Sequence, residues 1–158
     1  MSGPAKNDGS APISRELQQL WLQIVRSPWS SLVVIPTEPG TSGRMVTSAL
    51  AGMTDFYDLG HLRIVQAQGA SLQDGVRIAK ELTSAGPMGE RVVAAVDYPM
   101  ENGGAMPVIM AAEAAILIVR LGSSSIDSTR TIINIAGRER VLGTIALSRR
   151  YVSRDLSA

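Results

Sequence analysis

The chain has 158 residues, enough for one domain with a sizeable core and too few for two ordinary ones. Its 15 Lys and Arg against 14 Asp and Glu leave a net charge of +1, which gives no global case for a nucleic-acid partner or an anionic membrane. The absence of Cys excludes disulfides and thiolate chemistry, and a single His argues against a His-based metal site. No apolar run approaches the roughly 20 residues of a membrane span, and the N-terminus lacks the basic start and apolar core of a signal peptide. A cytoplasmic protein without direct membrane insertion is therefore expected.

Residues 1–12, MSGPAKNDGSAP, have no apolar periodicity and are read as a disordered tail. Ser14 can cap a helix with Glu16 in its first turn. Ile13, Leu17, Leu20, Trp21, Ile24 and Val25 then recur at spacings of three and four, which predicts an amphipathic helix over 13–26 that stops before Pro28. The stripe of Leu17, Leu20, Trp21 and Ile24 is a candidate interface for a homo-oligomer or another protein, since Trp is enriched at the energetic centres of interfaces. Packing against the chain's own sheet is the competing reading, and one helix can do both.

The next stretch, SLVVIPTEPGTSGRMVTSAL, organises the rest. Leu32, Val33, Val34 and Ile35 form an unbroken β-branched run that predicts a strand over 31–36, covered on both faces. Pro39 to Gly43 supply a glycine-rich turn, and Val46, Ala49 and Leu50 continue at helical spacing. This is the layout of a phosphate-binding loop, in which backbone N–H groups at a helix N-terminus surround phosphates, a Lys reaches the β/γ-phosphates and a Ser or Thr hydroxyl binds Mg²⁺. Arg44 and Met45 stand where the Lys and the hydroxyl are required, and Glu38 brings negative charge toward the turn. Gly40, Thr41, Ser42, Gly43, Arg44 and Met45 are thus read as a nucleotide- or anion-binding remnant without its catalytic side chains. An ordinary strand–turn–helix connection is the plainer alternative.

Further along, 61–67 reads as a second, more polar strand. Ser71 with Asp74 resembles a capping box, and Leu72, Val76, Ala79 and Leu82 mark a helix ending at Gly86-Pro87. Strands follow at 91–97, 115–120 and 141–148. Between them lie a short helix from Met106 to Ala114 and a second one, begun by Ser123 to Ser125, buried through Ile126, Ile133 and Ala136 and capped by Gly137. Alternating strands and helices predict an α/β domain over 13–148, with a mainly parallel five-stranded sheet between two helical layers and a tail at 149–158. Ligands of such sheets gather beyond the carboxyl ends of the strands. Asp97 ends a very apolar strand at that edge, so it is the candidate metal or water contact, weighed against a turn or capping role ahead of Tyr98-Pro99.

In order and spacing, VVIPTEPGTSGRMVTSALA, VVAAVDYP, AAEAAILIVRLGSSSIDSTRTI and RERVLGTIAL resemble the cytoplasmic domain of the bacterial tyrosine autokinases of capsule and exopolysaccharide synthesis. The matches are Pro39-Gly40, Gly43, Asp97, Pro99, Val119-Arg120 and Leu142-Gly143, over about 28–148. The resemblance implies a P-loop-type fold with strand order 2-3-1-4-5 and makes Asp97 a Walker B remnant. The departures lie in the working parts. Besides Arg44 and Met45, the loop has one extra residue, the family's second acidic motif falls on Val65 to Gln68 without a carboxylate, and Tyr151 stands alone where the family has a tyrosine cluster.

The expectation is a non-catalytic relative that regulates or scaffolds a polysaccharide synthesis or export machine, recruited to the inner membrane face by a partner protein. It has no catalytic residue, metal or obligatory cofactor, and at most weak ATP or phosphate binding. An active ATPase or tyrosine kinase of the same pathway, or an unrelated α/β anion-binding module, are the alternatives.

Overall fold

The apolar run of β1 (Ser31–Pro36) is buried along its whole length because it has a strand on each side and helices above and below. β3 (Arg91–Ala95) and β4 (Ala114–Arg120) pair with it in parallel, Leu32 lying opposite both Val93 and Ala114. β2 (Leu62–Gln66) adds outside β3, and β5 (Val141–Leu147) adds outside β4. The result is an all-parallel sheet in the order β2-β3-β1-β4-β5, as expected, with strand limits within two residues of those read from the sequence. The computed structural model describes residues 15–57 and 62–147. The expected tails, the cap at Ser14, Tyr151 and the side chain of Leu17 lie outside the described residues.

Period-two alternation along the strands divides the core into two layers. Val33, Ile35, Ala94, Ala115 and Leu117 face α3 (Leu72–Ala85), α4 (Ala105–Ala111) and α5 (Ile126–Ala136), which contribute Ile78, Leu82, Val108, Ile109 and Ile132. Leu32, Val34, Val93, Ile116 and Ile118 face α1 (Arg15–Arg26) and α2 (Arg44–Tyr57), which contribute Trp21, Ile24, Val46, Leu50 and Met53. This is a three-layer α/β fold. Among the described residues no helix is long and apolar enough to cross a membrane.

Trp21 is 1% exposed, and Ile24 is fully buried beside it. Two of the four interface candidates are therefore core residues of this chain, while Leu20 packs half-buried at the margin of the same cluster. The end of α1 is fastened to the sheet. The Trp29 indole N–H donates to the Ile24 carbonyl at 2.6 Å, and the Arg91 guanidinium lies 4.9 Å from the Trp29 ring centroid while donating to the Val25 carbonyl.

Two helices are turned relative to the sequence reading. α3 buries Gly75, Ile78, Leu82 and Ala85, leaving Leu72 and Val76 exposed. Gly75 lets a neighbouring backbone approach, and that contact outweighs burial of two larger side chains on another face of the helix. A Cβ at Gly75 would collide with the Gly104 carbonyl, and one at Gly104 with the carbonyls of Ala70 and Ser71. α5 buries Ile132 and Ala136, whereas Ile126, its first residue, is 78% exposed beyond the edge of the sheet. The caps are as expected: the Ser71 hydroxyl accepts from the Asp74 N–H, that of Ser125 accepts from the Ser128 N–H, and Gly137 closes α5 at φ 89°.

Candidate functional site

Because every strand runs in the same direction, the segments 37–43, 67–71, 96–104 and 121–125 all emerge at the carboxyl edge of the sheet. The β1–α2 segment is held tightly there. Thr37 donates through both its N–H and its hydroxyl to the Ile118 carbonyl, at 3.0 and 2.9 Å, and its own carbonyl accepts from the Ser128 hydroxyl at 2.6 Å. Gly40 turns the chain at φ 75°, a conformation that costs little only without a Cβ. Gly43 serves a different purpose: a Cβ there would sit 3.3 Å from both Ala95 Cβ and Val34 Cγ1, so glycine lets the start of α2 lie against the sheet. Ser42 accepts from the Arg44 N–H at 3.2 Å and helps to start the helix.

Among the described residues, the central feature of this loop is one that sequence reasoning missed. Pro36 pairs with Ile118, so the same parallel register carried two residues further sets Glu38 beside Arg120. Arg120 Nε lies 3.2 Å from Glu38 Oε1, with the two side chains only 22% and 12% exposed. The approach is an ion pair rather than an aligned hydrogen bond, for the Nε proton has no acceptor in line. The Ser123 hydroxyl donates to the same oxygen at 2.7 Å and the buried Thr41 hydroxyl at 3.5 Å, while Arg120 Nη2 donates to the Gly40 carbonyl at 2.9 Å. The head of the glycine turn is thus closed from within by a carboxylate and a guanidinium that neutralise each other.

Arg44 and Met45 lie outside this closure. Both are exposed, Met45 at 38%, and the hydrogen bonds and ion pair of the enclosed carboxylate come from Ser123, Thr41 and Arg120. Gly40, Thr41 and Ser42 line an open cleft of about 290 Å³ together with Asp97, Tyr98 and Glu101. Asp97 is engaged as a tie between loops. Its Oδ2 accepts from the Gly69 N–H at 2.5 Å and from Asn102 Nδ2 at 3.1 Å, and Asn102 Oδ1 in turn accepts from the Gly104 N–H at 3.0 Å. Two carboxylates in the cleft, with Arg120 already neutralised, make it a poor receptor for a polyphosphate. Among the described residues no group of three His, Cys, Asp or Glu is placed to hold a metal ion. Where the resemblance calls for a second acidic motif, the Gln66 amide instead donates to the Thr47 hydroxyl at 3.2 Å, and the Gln68 amide is buried without a partner.

The same edge carries apolar side chains that the core does not use. Met45, Leu72, Met100, Leu121 and Ile126 are all exposed, and each stands in a strand-following loop or in the first turn of the helix after it. Fold and loop together define a three-layer α/β protein with the backbone plan of a phosphate loop. No protein-family model matches the chain, and no curated protein matches it in sequence.

Proposed function

We propose that this protein is a non-catalytic, P-loop-like domain that acts as a regulatory or scaffolding partner of other proteins. The observation that carries the reading is the Glu38–Arg120 pair at the head of the glycine turn. Phosphoryl transfer depends almost wholly on positioning and on concentrated positive charge around the phosphates. Here the Lys and the metal hydroxyl are replaced by exposed Arg44 and Met45, Asp97 is tied to Gly69 and Asn102, and the Arg120 guanidinium bonded to the turn is matched by a carboxylate of its own chain. A role through a protein surface is supported by the exposed Met45, Leu72, Met100, Leu121 and Ile126 at the edge where an ATPase would do its chemistry. The placing of that role in polysaccharide synthesis or export, at the inner membrane face, rests on the resemblance in motif order to the tyrosine autokinases.

Phosphate release from ATP with Mg²⁺ tests the proposal. The purified protein should show no turnover above buffer, and Asp97→Asn should make no difference. Turnover that requires Mg²⁺ and disappears in Asp97→Asn would overturn it.

A further inference from the structure

The Glu38–Arg120 contact does more than brace two loops, and we infer that Glu38 is the internal anion of an autoinhibited phosphate site: its carboxylate occupies the donor set that an external phosphate group would use. The inference rests on reading the loop as an anion-holding remnant and deepens it. One cation and two hydroxyl donors converge on the single oxygen Oε1: the Arg120 guanidinium as an ion pair at 3.2 Å, the Ser123 hydroxyl at 2.7 Å and the Thr41 hydroxyl at 3.5 Å. A guanidinium flanked by hydroxyls is equally suited to a carboxylate or to a phosphate oxygen. The location matters as much as the chemistry. Thr41 also lines the open cleft, so an anion arriving from solvent would reach these donors through it.

Stability alone does not account for the arrangement, because a largely buried ion pair is seldom more stabilising than apolar side chains of the same volume. A side chain that covers a charge-bearing turn and can be displaced by a competing anion does account for it. In the wild type the Arg120 charge is cancelled, and Asp97 and Glu101 across the cleft repel what would compete. With the negative charge removed, a mostly buried guanidinium keeps its bond to the Gly40 carbonyl, has no anionic partner among the described residues, and recruits a small oxyanion.

Inorganic pyrophosphate and inorganic phosphate, titrated at constant ionic strength into wild type, Glu38→Gln and Glu38→Gln/Arg120→Met, test this by calorimetry and by amide shifts of Gly40 to Gly43. Glu38→Gln should bind pyrophosphate at least about tenfold more tightly than wild type, corresponding to about 1.4 kcal/mol. The double variant should return to the wild-type level. Glu38→Ala removes the same carboxylate and leaves the Arg120, Ser123 and Thr41 donors in place, so it should give a gain in the same direction and serves if Glu38→Gln does not fold. Equal pyrophosphate affinity in wild type and Glu38→Gln, a gain that survives loss of Arg120, or the lack of a gain in Glu38→Ala where Glu38→Gln is unfolded would each overturn the inference. None of these results would restore ATP turnover, so the non-catalytic reading stands or falls separately.

Discussion

Replacing Arg120 by Met keeps much of the side-chain volume and removes the charge, which leaves Glu38 largely buried without its counter-ion. Exposed ion pairs contribute about 0–1 kcal/mol, and removing one partner of a fully buried pair costs about 3–5 kcal/mol. The Arg120 and Glu38 side chains are 22% and 12% exposed, nearer the buried limit, and the variant also loses the bond from Nη2 to the Gly40 carbonyl. The Ser123 and Thr41 hydroxyls remain to solvate the carboxylate, which lowers the cost. A loss of about 2–3 kcal/mol follows. For a chain of this size that is a fall in Tm of about 5–10 °C. Urea unfolding at low and high salt measures it, and the loss should persist at high salt because a pair shielded from solvent is weakly screened. In a double-mutant cycle, Glu38→Gln/Arg120→Met should recover about 1 kcal/mol or more of the summed single losses. Additive single effects, or a loss under about 0.5 kcal/mol for Arg120→Met, would refute the claim that the pair closes the turn.

The remaining predictions concern packing. Gly104→Ala drives a methyl into the carbonyls of Ala70 and Ser71 and should cost about 3 kcal/mol or more by chemical unfolding, with lowered expression of folded protein. Gly52→Ala sits in α2 with nothing within 4 Å of the added methyl, so it should raise stability by about 0.5–1 kcal/mol in the same assay. Trp21→Ala empties a site in the inner cluster and should cost about 3–5 kcal/mol while leaving the association state of the folded fraction unchanged in sedimentation. Leu121→Ser with Ile126→Ser should alter stability by less than about 0.5 kcal/mol, since both side chains are exposed, and should weaken binding of whichever protein docks at the carboxyl edge.

The sheet was legible because its strands are short apolar runs separated by Gly and Pro, so periodicity and turn chemistry located every strand. Buried faces of helices were less so. Leu72 and Val76 dominate the apolar pattern of α3, yet the close approach permitted by Gly75 and Gly104 turns the helix so that they face solvent. That is a backbone-to-backbone contact between residues far apart in sequence, and no local pattern encodes it. Trp21 illustrates the reverse problem: an apolar stripe shows that a helix buries a face and not against what. The glycine turn and its missing Lys and hydroxyl were visible directly. Closure of that turn was not, although Glu38 and Arg120 each stood out. Their pairing needs the strand order, which makes β1 and β4 neighbours, and the register, which sets Pro36 opposite Ile118. With both in hand, an acid and a base two residues past adjacent strand ends become a predictable pair.

Calorimetric titration of the wild-type protein with ATP in the presence of Mg²⁺ tests the central claim most directly. A turn closed by Glu38 and Arg120, without the Lys and metal hydroxyl of a working phosphate loop, should give no heat beyond dilution up to about millimolar ATP, with or without Mg²⁺. Saturable binding at about micromolar ATP that requires Mg²⁺ would contradict it.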